Sequence, residues 1–282
     1  KVGVLEFYRR RAVRIIPLYW ALTSVAVGVM LVAPQLLQTT RFGLGHVIAS
    51  YFFIMAPNPA GHIEPVLTVG WTLNYEMLYY VIFGLALLLP IAWRFAATTA
   101  VLLGMCLIGW FVATDQTPIL QVYTSDIVLE FLFGMAVGAW FLRDPRGGSA
   151  ALAWLLVLGG FAAFGILAWY FPGASRPLTM GLPAMAIVVG AIMLERFGGL
   201  PPMRWLHKLG DASYSLYLSH AFVLSALSQG WRRLHLDSLP GGQVLFCVAG
   251  VLACSIVGLL VYQWLERPLI NFFRKPRVQA AA

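Results

Sequence analysis

Charge is what this chain has least of. Only 11% of its 282 residues are Asp, Glu, Lys or Arg, too few to cover the surface of a water-soluble fold of this length. Cysteine is scarce as well. Cys106, Cys247 and Cys254 fall in apolar stretches, with no C-x-x-C and no Cys/His ligand spacing. That removes a disulfide framework and a zinc site, and reads the three thiols as small core residues. Nothing else suggests a metal. No internal repeat, low-complexity tract, appended soluble domain, signal peptide or nucleic-acid motif is visible.

What remains is apolar. Hydrophobic residues make up 60% of the chain and mean hydropathy is +0.81, so the solvent is a lipid bilayer and the fold class is an all-α, polytopic transmembrane bundle. A hydrocarbon core of about 30 Å takes about 20 apolar residues per helix. Stretches of that kind occur near 14–33, 72–90, 96–113, 125–142, 151–171, 179–195, 213–230 and 243–264, which predicts eight spans in one membrane domain over 1–282. The shorter apolar piece from His46 to Ala56 is either a ninth span or a segment lying in the interface.

The basic residues decide between these, because short cytoplasmic loops retain Lys and Arg. With eight spans and a cytoplasmic start, Lys1, Arg9, Arg10, Arg11, Arg14, Arg94, Arg143, Arg146, Arg196, Arg204, Lys208, Arg267, Arg274, Lys275 and Arg277 lie inside. Those are fifteen of the 19 positive charges, leaving Arg41, Arg176, Arg232 and Arg233 outside. A ninth crossing would change the split to eight against eleven. Both termini are therefore expected in the cytoplasm, and topology accounts for the net charge of +8 without nucleic acid.

Ionisable groups inside a membrane are costly and so mark candidate sites. Arg11 and Arg14, at i,i+3 in the run Phe7-Tyr8-Arg9-Arg10-Arg11-Ala12-Val13-Arg14-Ile15-Ile16-Pro17-Leu18-Tyr19, share a helix face at the cytoplasmic boundary. They suit either a phosphorylated ligand or anionic lipid headgroups. In Val69-Gly70-Trp71-Thr72-Leu73-Asn74-Tyr75-Glu76-Met77-Leu78-Tyr79-Tyr80, at the outer end of the second span, Thr72, Glu76 and Tyr80 repeat every fourth residue. This stripe could orient a polar acceptor or take a proton; the alternative is a carboxylate paired to a neighbouring arginine for structural reasons. Trp71 and the tyrosines also suit an interfacial belt.

In Gly210-Asp211-Ala212-Ser213-Tyr214-Ser215-Leu216-Tyr217-Leu218-Ser219-His220, Asp211 or Ser213 is expected to cap the helix. Ser213, Tyr217 and His220 share a face, with His220 about 10 Å along the axis. A lone intramembrane histidine is more often a packing element than a catalyst. Glu130, Glu266-Arg267-Pro268, His46 and His62 read as structural.

These motifs resemble the acyltransferase-3 family of integral-membrane acyltransferases. The matching residues are Arg11, Arg14, Ile15, Pro17 and Tyr19; Trp71, Thr72, Leu73, Glu76 and Tyr80; the S-Y-S-L-Y-L-x-H element through His220; and the terminal Glu266-Arg267-Pro268. The resemblance implies transfer of an acyl group, commonly acetyl, from cytosolic acyl-CoA to a hydroxyl of a glycan or lipid-linked acceptor. Acyl-CoA is then a co-substrate and no cofactor is tightly bound. Arg11 and Arg14 would recognise CoA phosphates, and Glu76 would position the acceptor or handle its proton. Trp71, Tyr80, Tyr217 and His220 would shape the pocket. With Glu76 nearer the outside, the acyl group would cross much of the bilayer inside the protein. A bacterial inner membrane is the family's usual setting, membrane lipids are the remaining partners, and no residue pattern sets an oligomeric state.

The family pattern has ten spans and a general-base histidine in the first. This chain starts just before what would be the third, without an initiator Met, and His46, His62 and His220 do not stand in that histidine's context. An omitted N-terminal portion is the expected reason, since those helices would also bury polar groups here; the alternative is a natural variant without catalytic power. Two other readings use the same residues: a transporter or flippase, for which no inverted repeat or paired broken helices are seen, and a non-catalytic subunit.

Overall fold

Buried positions at Ile15, Leu18, Tyr19, Leu22, Thr23, Ala26 and Met30 recur every three or four residues, and they make one face of the long helix α1, Val4–Val32. The computed structural model describes residues 3–33, 42–112, 114, 116–143, 149–197 and 203–274. Lys1, Arg41, Arg146, Lys275, Arg277 and the 280–282 tail lie outside the described residues. Because α1 begins well before residue 14, the whole arginine cluster is helical.

The remaining helices follow the apolar stretches. They are α2 (Leu44–Tyr51), α3 (Trp71–Ala86), α4 (Ile91–Val112), α5 (Pro118–Tyr123), α6 (Glu130–Arg143), α7 (Ala150–Tyr170), α8 (Leu182–Arg196), α9 (Arg204–Asp211), α10 (Ser213–Arg233), α11 (Gly242–Val261) and α12 (Arg267–Phe273). π-type turns at Pro177–Gly181 and Tyr262–Glu266 run into α8 and α12. Among the described residues six helical segments are long and apolar enough to cross a membrane: Val4–Val32, Ile91–Val112, Pro118–Arg143, Ala150–Tyr170, Pro177–Arg196 and Gly242–Phe273. The other two of the eight predicted spans, α3 and α10, are helices too. The first has only 16 residues, and the second is diluted by serines, a histidine, a glutamine and two arginines. They are also the two helices on which the second and third polar motifs lie. Large apolar side chains such as Trp110, Phe111 and Trp169 are about four-fifths exposed, as a helix bundle solvated by lipid requires.

The chain folds as two compact units, Lys1–Asn74 with Met203–Ala282, and Tyr75–Pro202. In the first, α2 is eight residues long, about 12 Å, so it cannot cross the bilayer; this agrees with the charge argument against a ninth span. It packs through Val47 on Ala26, Met30 and Val66. Tyr19 donates to the Ser50 carbonyl at 3.0 Å, and Trp20 Nε1 donates to the Tyr51 carbonyl at 2.8 Å. His46 bonds through Nε2 to the Glu64 carbonyl at 2.6 Å, while Asn58 Oδ1 accepts from the backbone N–H of Ala60 and His62. These two histidines are thus part of the loop's own architecture, as the sequence reading expects.

The second unit is held by close approach of α7 and α8. A Cβ on Gly190 would stand 2.7 Å from the Ala153 carbonyl oxygen, and one on Gly160 would stand 2.9 Å from that of Pro183. Both obstacles are backbone and cannot rotate away, and small residues of this kind let membrane helices touch. Gly190→Leu is therefore expected to destabilise the unit by about 2–3 kcal/mol or more. The check is the thermal midpoint in detergent, with Gly165→Leu, whose Cβ would meet nothing within 4 Å, as the control that should unfold like the parent. Glu130 pairs with Arg176 at 3.0 Å, which gives that carboxylate the structural role expected of it. Of the three thiols only Cys254 is buried; Cys106 is half-buried and Cys247 is exposed on α11, so the core assignment holds for Cys254 alone.

Candidate active site

Three residues at the start of α10, Tyr214, Ser215 and Tyr217, bond it to α1, to Glu266 and to the Val69–Thr72 segment. Tyr214 donates to the carbonyl of Ile15 at 2.8 Å, the residue after Arg14. Ser215 donates to Glu266 Oε2 at 2.5 Å, and Glu266, only 3% exposed, interacts electrostatically with Arg14. Tyr217 donates to the Val69 carbonyl at 2.6 Å and lies 2.5 Å from Thr72 Oγ1. His220 bonds through Nδ1 to the Tyr217 carbonyl at 2.6 Å. A carbonyl only accepts, so Nδ1 is the donor.

Neither expected cap forms: the residue before α10 is Ala212, with no side-chain cap bond. α9 ends at Asp211 and α10 starts at Ser213, so the chain turns from one helix into the next without needing a cap. The face that buries Ser215, Leu218 and Ser219 is also distinct from the face of Tyr217 and His220.

Thr72, which the linear reading puts at the outer end of its span, is enclosed by α1 and α10 of the first unit. Tyr19 is five residues beyond Arg14, about 8 Å along α1, and a Cβ on Gly70 would stand 2.7 Å from its ring. Tyr19 stands at the middle of α1 (Val4–Val32), and Tyr217 is four residues into α10. The Val69–Thr72 segment therefore lies beside the middle of α1 and the first turns of α10, inside the first unit. The loop before it dips into the protein, burying Met55, Val66 and Leu67. Non-helical backbone at membrane depth is tolerated where protein encloses it.

The two arginine pairs of α1 are differently occupied. Glu6 accepts from Arg9 at 2.9 Å and from Arg10 at 2.7 Å. Arg11 lies over the Phe7 ring at 5.7 Å, and both Arg11 and Arg14 are exposed, as an anion-binding pair must be. Along α3, Trp71 and Thr72 are half-buried. One turn beyond Thr72, in the second unit, half-buried Glu76 accepts a hydrogen bond from Tyr80. Among the described residues no lysine or arginine forms an ion pair with Glu76. Nearby, Tyr75 donates to the Val122 carbonyl at 2.7 Å and Tyr79 stacks on Phe131 at 4.5 Å, which fixes this part of α3.

Sequence reasoning gave Tyr214 and Ser215 no role beyond their place in the S-Y-S-L-Y-L-x-H element, and read Glu266 as structural without a partner. The signal for Glu266 was present, since a carboxylate at the end of an apolar span needs a partner. That partner stands 51 residues away, a pairing only the fold reveals.

The acyltransferase domain that defines the acyltransferase-3 family matches residues 1–260. The chain is similar to the exopolysaccharide production protein ExoZ of Rhizobium meliloti (strain 1021), with 38% identity over 284 residues, covering 99% of this chain and 85% of that protein. No solved structure matches. A membrane bundle with the family's polar motifs gathered on α1, α3 and α10, matched over nearly its whole length, belongs to the acyltransferase-3 family of integral-membrane acyltransferases.

Proposed function

We propose that this protein transfers an acyl group, acetyl in the first instance, from cytosolic acyl-CoA to a hydroxyl of a glycan or lipid-linked glycan in the bacterial inner membrane. The observation that carries this reading is the short connection between Arg14 and Thr72. The Ile15 carbonyl, next to Arg14, accepts from Tyr214, Ser215 donates to Glu266, and the next turn of the same helix bonds Val69 and Thr72 through Tyr217. A donor held by its phosphates at Arg11 and Arg14 thus lies within one or two helical turns of hydroxyl-bearing side chains, and the acyl group has no long passage to cross.

In the reaction the acceptor oxygen attacks the thioester carbonyl, a C–O bond forms, the C–S bond breaks, and CoA leaves as the thiol. The acceptor's proton must go to a base. Glu76 is the candidate for holding the acceptor hydroxyl or receiving that proton, with Tyr80 fixing its carboxylate. In the first unit, Trp71, Tyr217 and His220 are the residues assigned to the pocket. The similarity to a protein of exopolysaccharide production supports a secreted polysaccharide, or its precursor, as the acceptor.

Deleting the gene and analysing the secreted polysaccharide by proton NMR tests this. Loss of O-acyl signals, restored by the parent gene and not by a Glu76→Gln copy, is the expected result. Unchanged acylation with reduced polymer export would instead indicate a transporter.

A further inference from the structure

Helix α10 ends on the side assigned to the outside, and that end carries two features the transfer reaction does not use. One is an apolar groove of about 660 Å³ between α10 and α11, lined by Phe222, Ala226, Gly230, Trp231, Ala253 and Val257 among others. The other is the adjacent pair Arg232–Arg233 in the last turn. Short translocated loops are poor in arginine, and this chain keeps only four outside. Of these, Arg176 is neutralised by Glu130 at 3.0 Å and Arg41 lies outside the described residues. Arg232 and Arg233 are exposed and form no ion pair among the described residues. One cation in a last helical turn is explained by the helix dipole; two, set at the mouth of an apolar groove, are not.

The helical register separates two faces below this pair. Phe222, Ala226, Gly230 and Arg233 follow one another at four, four and three residues, so Arg233 continues the stripe that lines the groove. Arg232 instead continues a polar stripe through Ser228, Ser225 and Tyr217, at steps of four, three and eight residues. Ser228 donates to the Ser225 carbonyl at 3.0 Å and Gln229 Nε2 donates to Ser225 Oγ at 3.4 Å. That stripe runs about 22 Å from the outer end to the Tyr217–Thr72 pair.

We propose that the outer half of α10 is the docking site of a lipid-linked glycan acceptor whose polyprenyl-type tail lies in the apolar groove. Its phosphate sits on Arg232 and Arg233, and its sugar hydroxyls follow the polar stripe inward toward Tyr217 and Thr72. A ligand with a long apolar tail, an anionic junction and a polyhydroxylated head matches the three surfaces, with the groove and the polar stripe running side by side from the arginine pair. This rests on the transferase reading for the direction of the head, while the tail and phosphate contacts stand on the groove and the arginines alone.

The test uses the full-length protein in phosphatidylcholine nanodiscs doped with a photoreactive polyprenyl monophosphate, with acetyl-CoA affinity measured in parallel. Arg232→Gln/Arg233→Gln is expected to reduce photolabelling roughly tenfold or more, since each guanidinium–phosphate contact is worth over 1 kcal/mol. Gly230→Trp, placed where a Cβ meets nothing within 4 Å, should fill the groove and reduce labelling similarly. Both should leave acetyl-CoA affinity unchanged, which also shows that they fold. Excess phosphatidylglycerol should fail to compete. Undiminished labelling in both variants, or displacement by phosphatidylglycerol, would overturn the proposal. A parent protein that is labelled but binds no acetyl-CoA would retain the lipid site and refute the transferase reading.

Discussion

Replacing Arg11 and Arg14 together by alanine is expected to lower acetyl-CoA affinity by roughly 10²- to 10⁴-fold. Each guanidinium can give a phosphate charge-assisted hydrogen bonds worth about 1.5–3 kcal/mol, and every 1.4 kcal/mol is about a factor of ten. The natural control is Arg9→Ala/Arg10→Ala. It removes the same charge from the same helix, but from side chains already engaged by Glu6 at 2.9 and 2.7 Å, and it should cost far less. Arg11→Lys/Arg14→Lys keeps the charge and loses the planar fork, so it should fall between the two. Calorimetric titration of acetyl-CoA into the detergent-solubilised variants gives the comparison. Equal losses in the two alanine pairs would mean that the first turns of α1 act only as a cloud of positive charge.

Glu76→Gln is the substitution with the next largest expected effect. Glutamine keeps the shape of glutamate and can still accept the hydrogen bond that Tyr80 makes, so folding should survive. A carboxylate that takes or orients the acceptor proton contributes about 10²–10⁴ in rate. Turnover, read as CoA thiol released, should fall by that order with donor affinity unchanged. Tyr80→Phe removes only one hydrogen bond to the carboxylate and should cost about tenfold or less. If Glu76→Gln instead weakened donor binding and left turnover intact, the carboxylate would belong to the scaffold.

Composition and charge made most of the architecture legible, because lipid imposes simple rules. Apolar length locates helices, and the sidedness of Arg and Lys excluded a crossing at His46–Ala56, where the fold has the eight-residue α2. Those rules treat each segment by itself, and they do not say what it meets. The loop before Trp71 is buried in the protein, and Thr72 meets Tyr217 at 2.5 Å. Nothing local in Val69-Gly70-Trp71 distinguishes a helix that starts at the surface from one that starts inside. The missing Cβ of Gly70 is a sign of close approach only once the Tyr19 ring beside it is known. The same limit hid Ser215 and Glu266, since a pairing across 51 residues leaves no periodic trace.

The most direct test of the account is to supply acetyl-labelled [¹⁴C]acetyl-CoA to the native full-length protein in proteoliposomes with a lipid-linked glycan and follow the label. Radioactive acetyl appearing in base-labile ester linkage on the glycan, matched by released CoA thiol and absent with Glu76→Gln, is the predicted result. Glycan that moves across the bilayer without acquiring label, or label that is never lost from acetyl-CoA, would contradict it.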